Sequence, residues 1–72
     1  MPLSGDERYV EVEGKLKKRS AKAILIETEL ASGWVPRSCV HFSTDKMVDD
    51  MDLGDEASFK IMQWVATDRG LI

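Results

Sequence analysis

Cys39 and His41 flank Val40 in a chain of 72 residues that has no other cysteine or histidine. A thiol nucleophile needs a base within hydrogen-bond reach of its sulfur. On an extended strand residues two apart share a face but lie about 7 Å from each other, too far for that proton transfer without a bend. The pair reads instead as a small buried apolar residue, Cys39, beside a surface or edge histidine. With one thiol the chain can form neither an internal disulfide nor a thiolate zinc site of its own. No activated nucleophile, acid–base pair at useful spacing or cofactor motif stands elsewhere, so the sequence predicts a protein that is not an enzyme and binds no cofactor.

Two other stretches carry chemistry. Asp49, Asp50, Asp52, Asp55 and Glu56 in "DDMDLGDE" are hard oxygen ligands, but Gly54 does not fall at the sixth position of any EF-hand register. The stretch therefore predicts a solvated acidic loop and no metal site. "GWVPRS", Gly33 to Ser38, places a tryptophan, a proline, a cation and a hydroxyl together. Pro36 has no N–H to give a ladder and should end a strand or sit at a sheet edge. Gly33 reads as the turn before it, and Trp34 as part of a core with few aromatics. Arg37 and Ser38 follow the stop and are expected to face outward, where a guanidinium and a hydroxyl suit a partner or an anion.

The net charge of −3 conceals an asymmetry. Residues 9–40 hold six cations against four anions, whereas residues 41–56 hold one lysine against six carboxylates. Opposite charge on successive segments can steer docking. Arg37, Ser38, Asp49, Asp50, Asp52 and Asp55 are accordingly the predicted partner-binding residues. A second set, Tyr9, Lys15, Lys17, Lys18, Arg19 and Trp34, offers aromatics for base stacking and cations for phosphate, although an acidic chain repels phosphate overall.

The elements that must position these residues are short. "RYVEVEGKLKK" alternates Val10, Val12 and Leu16 against Glu11, Glu13 and Lys15, which predicts a first strand over 8–17, with Gly14 marking a bulge or bend. "AKAILIETE" is apolar on successive positions and reads as a central strand covered on both faces. "KKRSAK" and "ELASG" are the connections, and "WVP" a third strand. "RSCVHF" predicts a turn and a short fourth strand. Residues 43–56 read as an acidic loop or insertion with a single helical turn at Met47 and Val48, capped by Thr44 and Asp45. "ASFKIMQ" alternates again as a last strand. "MQWVATDRGLI" then predicts a short helix with Trp64 and Val65 inward, ended by Gly70 so that Leu71 folds back.

The fold class is mainly β with one short C-terminal helix, as one small domain over 1–72. Its form is a strongly bent antiparallel sheet or an SH3-like or OB-like barrel of four to five strands. Exposed sheet edges make a homo-oligomer one way to bury them. No stretch is long and apolar enough for a membrane span, and "MPLSGDERY" lacks the order of a signal peptide, so a cytoplasmic protein is expected.

In order, "KAILIE", "WVPRS" and "WVATDRGL" resemble a group of small, generally uncharacterised phage and prophage proteins. The resemblance covers roughly residues 22–38 and 58–71. Trp34, Pro36, Arg37 and Ser38 carry its first motif, and Trp64, Ala66, Gly70 and Leu71 its second. It implies a compact β-rich phage accessory protein and no chemical activity. Residues 43–56 are longer than that pattern leads one to expect. Three functions follow as expectations. The first is a non-catalytic protein that engages a host protein, as an anti-CRISPR inhibitor of a defence system does. The alternatives are a single-stranded nucleic-acid module and an oligomer that sequesters a small anion through Arg37.

Overall fold

In the computed structural model, residues 8–72 are described, so the N-terminal segment read for a leader lies outside them. The order of elements is β1 (Tyr9–Arg19), β2 (Ala23–Glu27), β3 (Ser32–Pro36), a 3-10 turn (Arg37–Cys39), α1 (Phe42–Asp50), β4 (Glu56–Met62) and α2 (Gln63–Asp68). The strands form one antiparallel sheet in the order β3-β2-β1-β4, which does not close into a barrel. The chain is mainly β, as its alternating runs predict.

Both hairpin connections use the same chemistry. Ser20 and Thr28 each donate a backbone N–H to the carbonyl three residues on, Ala23 and Ala31, both at 2.8 Å, while their hydroxyls accept amides inside the turn. A side chain that satisfies the turn's own amides lets the strand reverse within a few residues.

β1 is the spine. Its first half pairs with β4 from Tyr9↔Met62 to Lys15↔Glu56, and its second half pairs with β2 from Lys15↔Glu27 to Arg19↔Ile24. The register slips between Leu16 and Lys18, so the bulge falls at Lys17 and not at Gly14. The extra residue resets the alternation: Leu16 and Arg19 both share the inner face, opposite Ile26 and Ile24. Gly14 has a different duty. A Cβ there would stand 2.4 Å from the Glu27 carbonyl oxygen, so only hydrogen lets the β1 and β2 backbones meet where β2 ends.

One face of the sheet carries the core. Val12, Leu16, Ile24, Ile26, Val35, Phe59 and Ile61 from the strands join Val48 of α1 and Val65, Ala66 and Leu71 of the C-terminal segment in a single buried cluster. Cys39 is buried in it, as a small apolar residue should be. β2 is an interior strand, but Ile24 and Ile26 alone are buried, whereas Ala23 and Leu25 are partly exposed on the other side. It is therefore covered on one face only, which corrects the reading of its apolar run.

The segment read as an acidic loop is largely α1, and "RSCVHF" forms no strand. Arg37–Cys39 is a 3-10 turn, and Val40 makes a single bridge to Ile61. Thr44, Met47, Val48 and Met51 recur at the i, i+3, i+4, i+7 spacing of one helical face, with Thr44 and Val48 buried. The N-cap is His41, whose Nδ1 accepts from the Ser43 N–H at 3.2 Å. Thr44 accepts the Lys60 N–H at 3.1 Å and ties α1 to β4.

α2 ends as its sequence predicts. Gly70 adopts φ 73°, its N–H reaches the Thr67 carbonyl, and the Leu71 N–H reaches that of Ala66 at 2.9 Å. This pair of bonds folds buried Leu71 back under the helix. Val65 and Ala66 face inward, but Trp64 is 47% exposed on the outer side of α2, contrary to expectation. Gly33 makes no turn; it lies inside β3, and its missing Cβ makes room for Arg69, whose Cβ would be 2.9 Å away.

Gly14→Val will test the crossing of β1 over β2. With backbone, not a movable side chain, as the obstacle, a loss of about 2–3 kcal/mol in urea unfolding is expected, against under 1 kcal/mol for an exposed β1 position such as Lys18→Val.

Candidate functional site

Arg37 sits where β3 ends and the 3-10 turn begins, and its guanidinium turns back along α1. Nε donates to Asp45 Oδ1 at 2.9 Å, one terminal nitrogen to Asp49 Oδ1 at 2.5 Å and the other to the Ser20 carbonyl at 3.1 Å. Its backbone N–H donates to the Lys22 carbonyl at 2.8 Å. The side chain is only 18% exposed. The hydrogen bond to Asp49, opposed by partial burial and aided by Asp45, raises the Arg37 pKa above its ordinary value. A cation so favoured contributes its full stabilisation at every pH below that ordinary value. The residue expected to face a partner is instead an internal clamp. Three of its five N–H groups are engaged and its charge already faces two carboxylates, which makes it a poor residue for holding an anion.

The rest of the predicted partner set is scattered. Asp49 is held by Arg37. Asp55 accepts the Asp52 N–H at 3.1 Å in the turn that leads into β4. Ser38, Asp50 and Asp52 are exposed but sit on separate elements. Among the described residues no three His, Cys, Asp or Glu side chains gather as a metal ion would require.

The alternative set is brought together in part. Strand alternation puts Lys15, Lys18 and Trp34 on the outer face of the sheet, away from both helices. Lys18, Leu25 and Trp34 lie in one cross-strand row, and Trp34 is 44% exposed and not in the core. Lys17 pairs with Glu27 at 3.8 Å and Lys15 with Glu56 at 3.9 Å on that side. Arg19 leaves the set: the bulge turns it to the inner face, where it donates to the α1 carbonyls of Val48 at 2.8 Å and Met51 at 2.5 Å. Tyr9 stands at the far end of β1, edge-on to His41 with ring centroids 5.1 Å apart.

That cluster was not expected. His41 also lies 4.5 Å, centroid to centroid, from the ring of Phe42, which is 72% exposed. Its residues are separated by some thirty positions, so only the β1–β4 pairing and the Val40 bridge unite them. The outer face itself had a signal that went unread. "AILIE" and "GWVP" place Leu25 and Trp34 opposite the buried parity of their own strands.

Among the described residues, fold and site define a small four-stranded open sheet with two helices on one side and a bare face on the other. Comparison of the chain with protein-family models, curated proteins and solved structures finds no match. Among the described residues, no helix is long and apolar enough to cross a membrane.

Arg37→Ala will cost about 1–2 kcal/mol, the worth of charge-assisted bonds to carboxylates that are themselves partly solvated. For a domain of this size the melting temperature should fall by roughly 4–15 °C. In a double-mutant cycle with Asp49→Ala the two losses should not add, because they remove one interaction.

Proposed function

We propose that this chain is a non-catalytic binding protein that engages a host protein through the uncovered outer face of its sheet. The supporting observation is Trp34. It lies beside Leu25 on a face that no helix among the described residues covers, while the core closes without it. A half-exposed tryptophan on a rigid strand has the character of an interface anchor: large area, little side-chain freedom to lose and rigid support beneath. The phage-type assignment, and inhibition of a host defence system as the role, rest on the sequence resemblance. Of the residues that carry it, Pro36, Arg37, Ala66, Gly70 and Leu71 are explained by folding. Trp34, Ser38 and Trp64, all exposed, are not.

The nucleic-acid reading stays second. Lys15, Lys17 and Lys18 beside Trp34 favour it, but the same face carries Glu11, Glu13, Glu27 and Glu56 against those lysines and Lys60. A surface with as many carboxylates as ammonium groups makes a poor track for a phosphate backbone.

Trp34→Ala should leave the fold intact, with at most about 1 kcal/mol lost from a cross-strand pair, and weaken capture of the host partner by roughly thirtyfold, the effect of losing a ~2 kcal/mol anchor. Unchanged capture by a folded Trp34→Ala variant moves the interface elsewhere. Tryptophan quenching by a single-stranded oligonucleotide at low salt, reversed by added salt, would put the nucleic-acid reading first.

A further inference from the structure

The sheet is split where β1 changes partners. β2 stops at Glu27, opposite Lys15, because Thr28 turns the chain away, so among the described residues the first half of β1 has β4 on one side and no strand on the other. Beside it lies a groove of about 890 Å³ lined on one wall by residues of β1 and β4 and on the other by Glu27–Leu30 and the C-terminal Leu71 and Ile72.

The gap-facing backbone of β1 in that wall has no partner among the described residues. The Gln63 N–H donates to the Arg8 carbonyl at 2.8 Å and the Leu16 N–H to the Asp55 carbonyl at 3.0 Å, with an unbroken register between them. Even-numbered residues of β1 therefore bond toward β4. By strand alternation the N–H and C=O groups of Tyr9, Glu11 and Glu13 point the other way, into the gap, and among the described residues no backbone bond from a turn or loop reaches them. This leaves about 17 Å of open edge at the rise of an extended strand.

The side chains around the edge select what would pair with it. Glu11, Glu13, Glu27, Glu29 and Glu56 line the groove against Lys15 alone, and among the described residues Glu11, Glu13 and Glu29 have no ion-pair partner. Val12 and Leu71 are buried apolar residues at the groove's floor, and exposed Leu30 stands at its rim. A second copy of this chain is a poor match, since antiparallel pairing about Glu11 would set Glu11 opposite Glu11, and like charges face to face destabilise a ladder. We propose that this groove is a strand-accepting site for an extended peptide segment of a partner protein, with Lys or Arg at alternate positions and apolar residues between them. Backbone bonds to Glu11 and Glu13 supply the pairing, the glutamates read the basic side chains, and the floor at Val12 and Leu71 receives the apolar ones. The site shares its glutamates with the outer face but does not include Trp34.

The probe is a capped peptide of alternating lysine and valine, about eight residues long, compared with its glutamate–valine counterpart on the full chain. The lysine peptide should bind, seen by fluorescence anisotropy, and slow hydrogen exchange at the Glu11 and Glu13 amides by at least about tenfold. The variant Glu11→Lys with Glu13→Lys should lose about tenfold or more in affinity and turn toward the glutamate peptide. The milder pair Glu11→Gln with Glu13→Gln, checked for folding by circular dichroism, should show a smaller loss in the same direction. Trp34→Ala should bind the peptide unchanged, so failure of the face and failure of the groove can be told apart. Unaltered exchange at both amides, equal binding of the two peptides, loss of binding in Trp34→Ala, or a dimer in sedimentation that already protects Glu11 and Glu13 would each overturn the proposal.

Discussion

The placement of α1 depends on arginines that the sheet sends to it. Arg37 joins Asp45 and Asp49 of the helix to the Ser20 turn, and Arg19 occupies the carbonyls of Val48 and Met51 at the helix end. The helix needs both. It carries Asp49 and Asp50 in its last turn, where carboxylates oppose the helix dipole, and it has no basic residue there. At nine residues it is also too short to persist alone in water. The cations supplied from β1 and from the end of β3 convert an unfavourable C-terminus into a bound one, and with it the lid over the inner face stays closed.

The Lys17 bulge is what makes Arg19 available. In an uninterrupted strand, Lys18 would have followed Leu16 to the inner face and Arg19 would have faced solvent. One added residue instead delivers a guanidinium to the helix and leaves Lys18 beside Leu25 and Trp34. The same strand thus helps to build the core lid and the exposed face, through a single slip in register.

With both helices on the same side, the described residues leave one sheet face buried and one bare. A chain this small has enough apolar area for a single core layer, so its second face and its open β1 edge remain available to other molecules. Trp34 on the face and the unpaired Glu11–Glu13 backbone beside the groove are consequences of that one-sidedness. They adjoin and share glutamates, but differ in what they offer: the face presents apolar area at Leu25 and Trp34, and the groove presents strand-pairing groups.

Alternation in "YVEVEGKL" and "ASFKIM", the glycine stop at Gly70 and the strand end at Pro36 were legible because each is a local matter of side-chain parity or backbone dihedral. Cys39 was legible as core for the same reason. The sequence alone therefore determined the mainly β class, the antiparallel strands and the end of α2. It did not determine where Trp34, Trp64 and Arg37 point, since type and hydropathy make a tryptophan look buried and an arginine look free. The fate of Arg37 required Asp45, Asp49 and Ser20 to arrive around it from distant positions, and that of Trp34 required knowing which face the helices would cover. α1 was hidden because its stability resides in contacts with Arg19 of β1, Arg37 of the 3-10 turn and Lys60 of β4, and not in its own propensity. Those outcomes belong to the tertiary structure, because a charge is satisfied, and a face is covered, only by what packs against it.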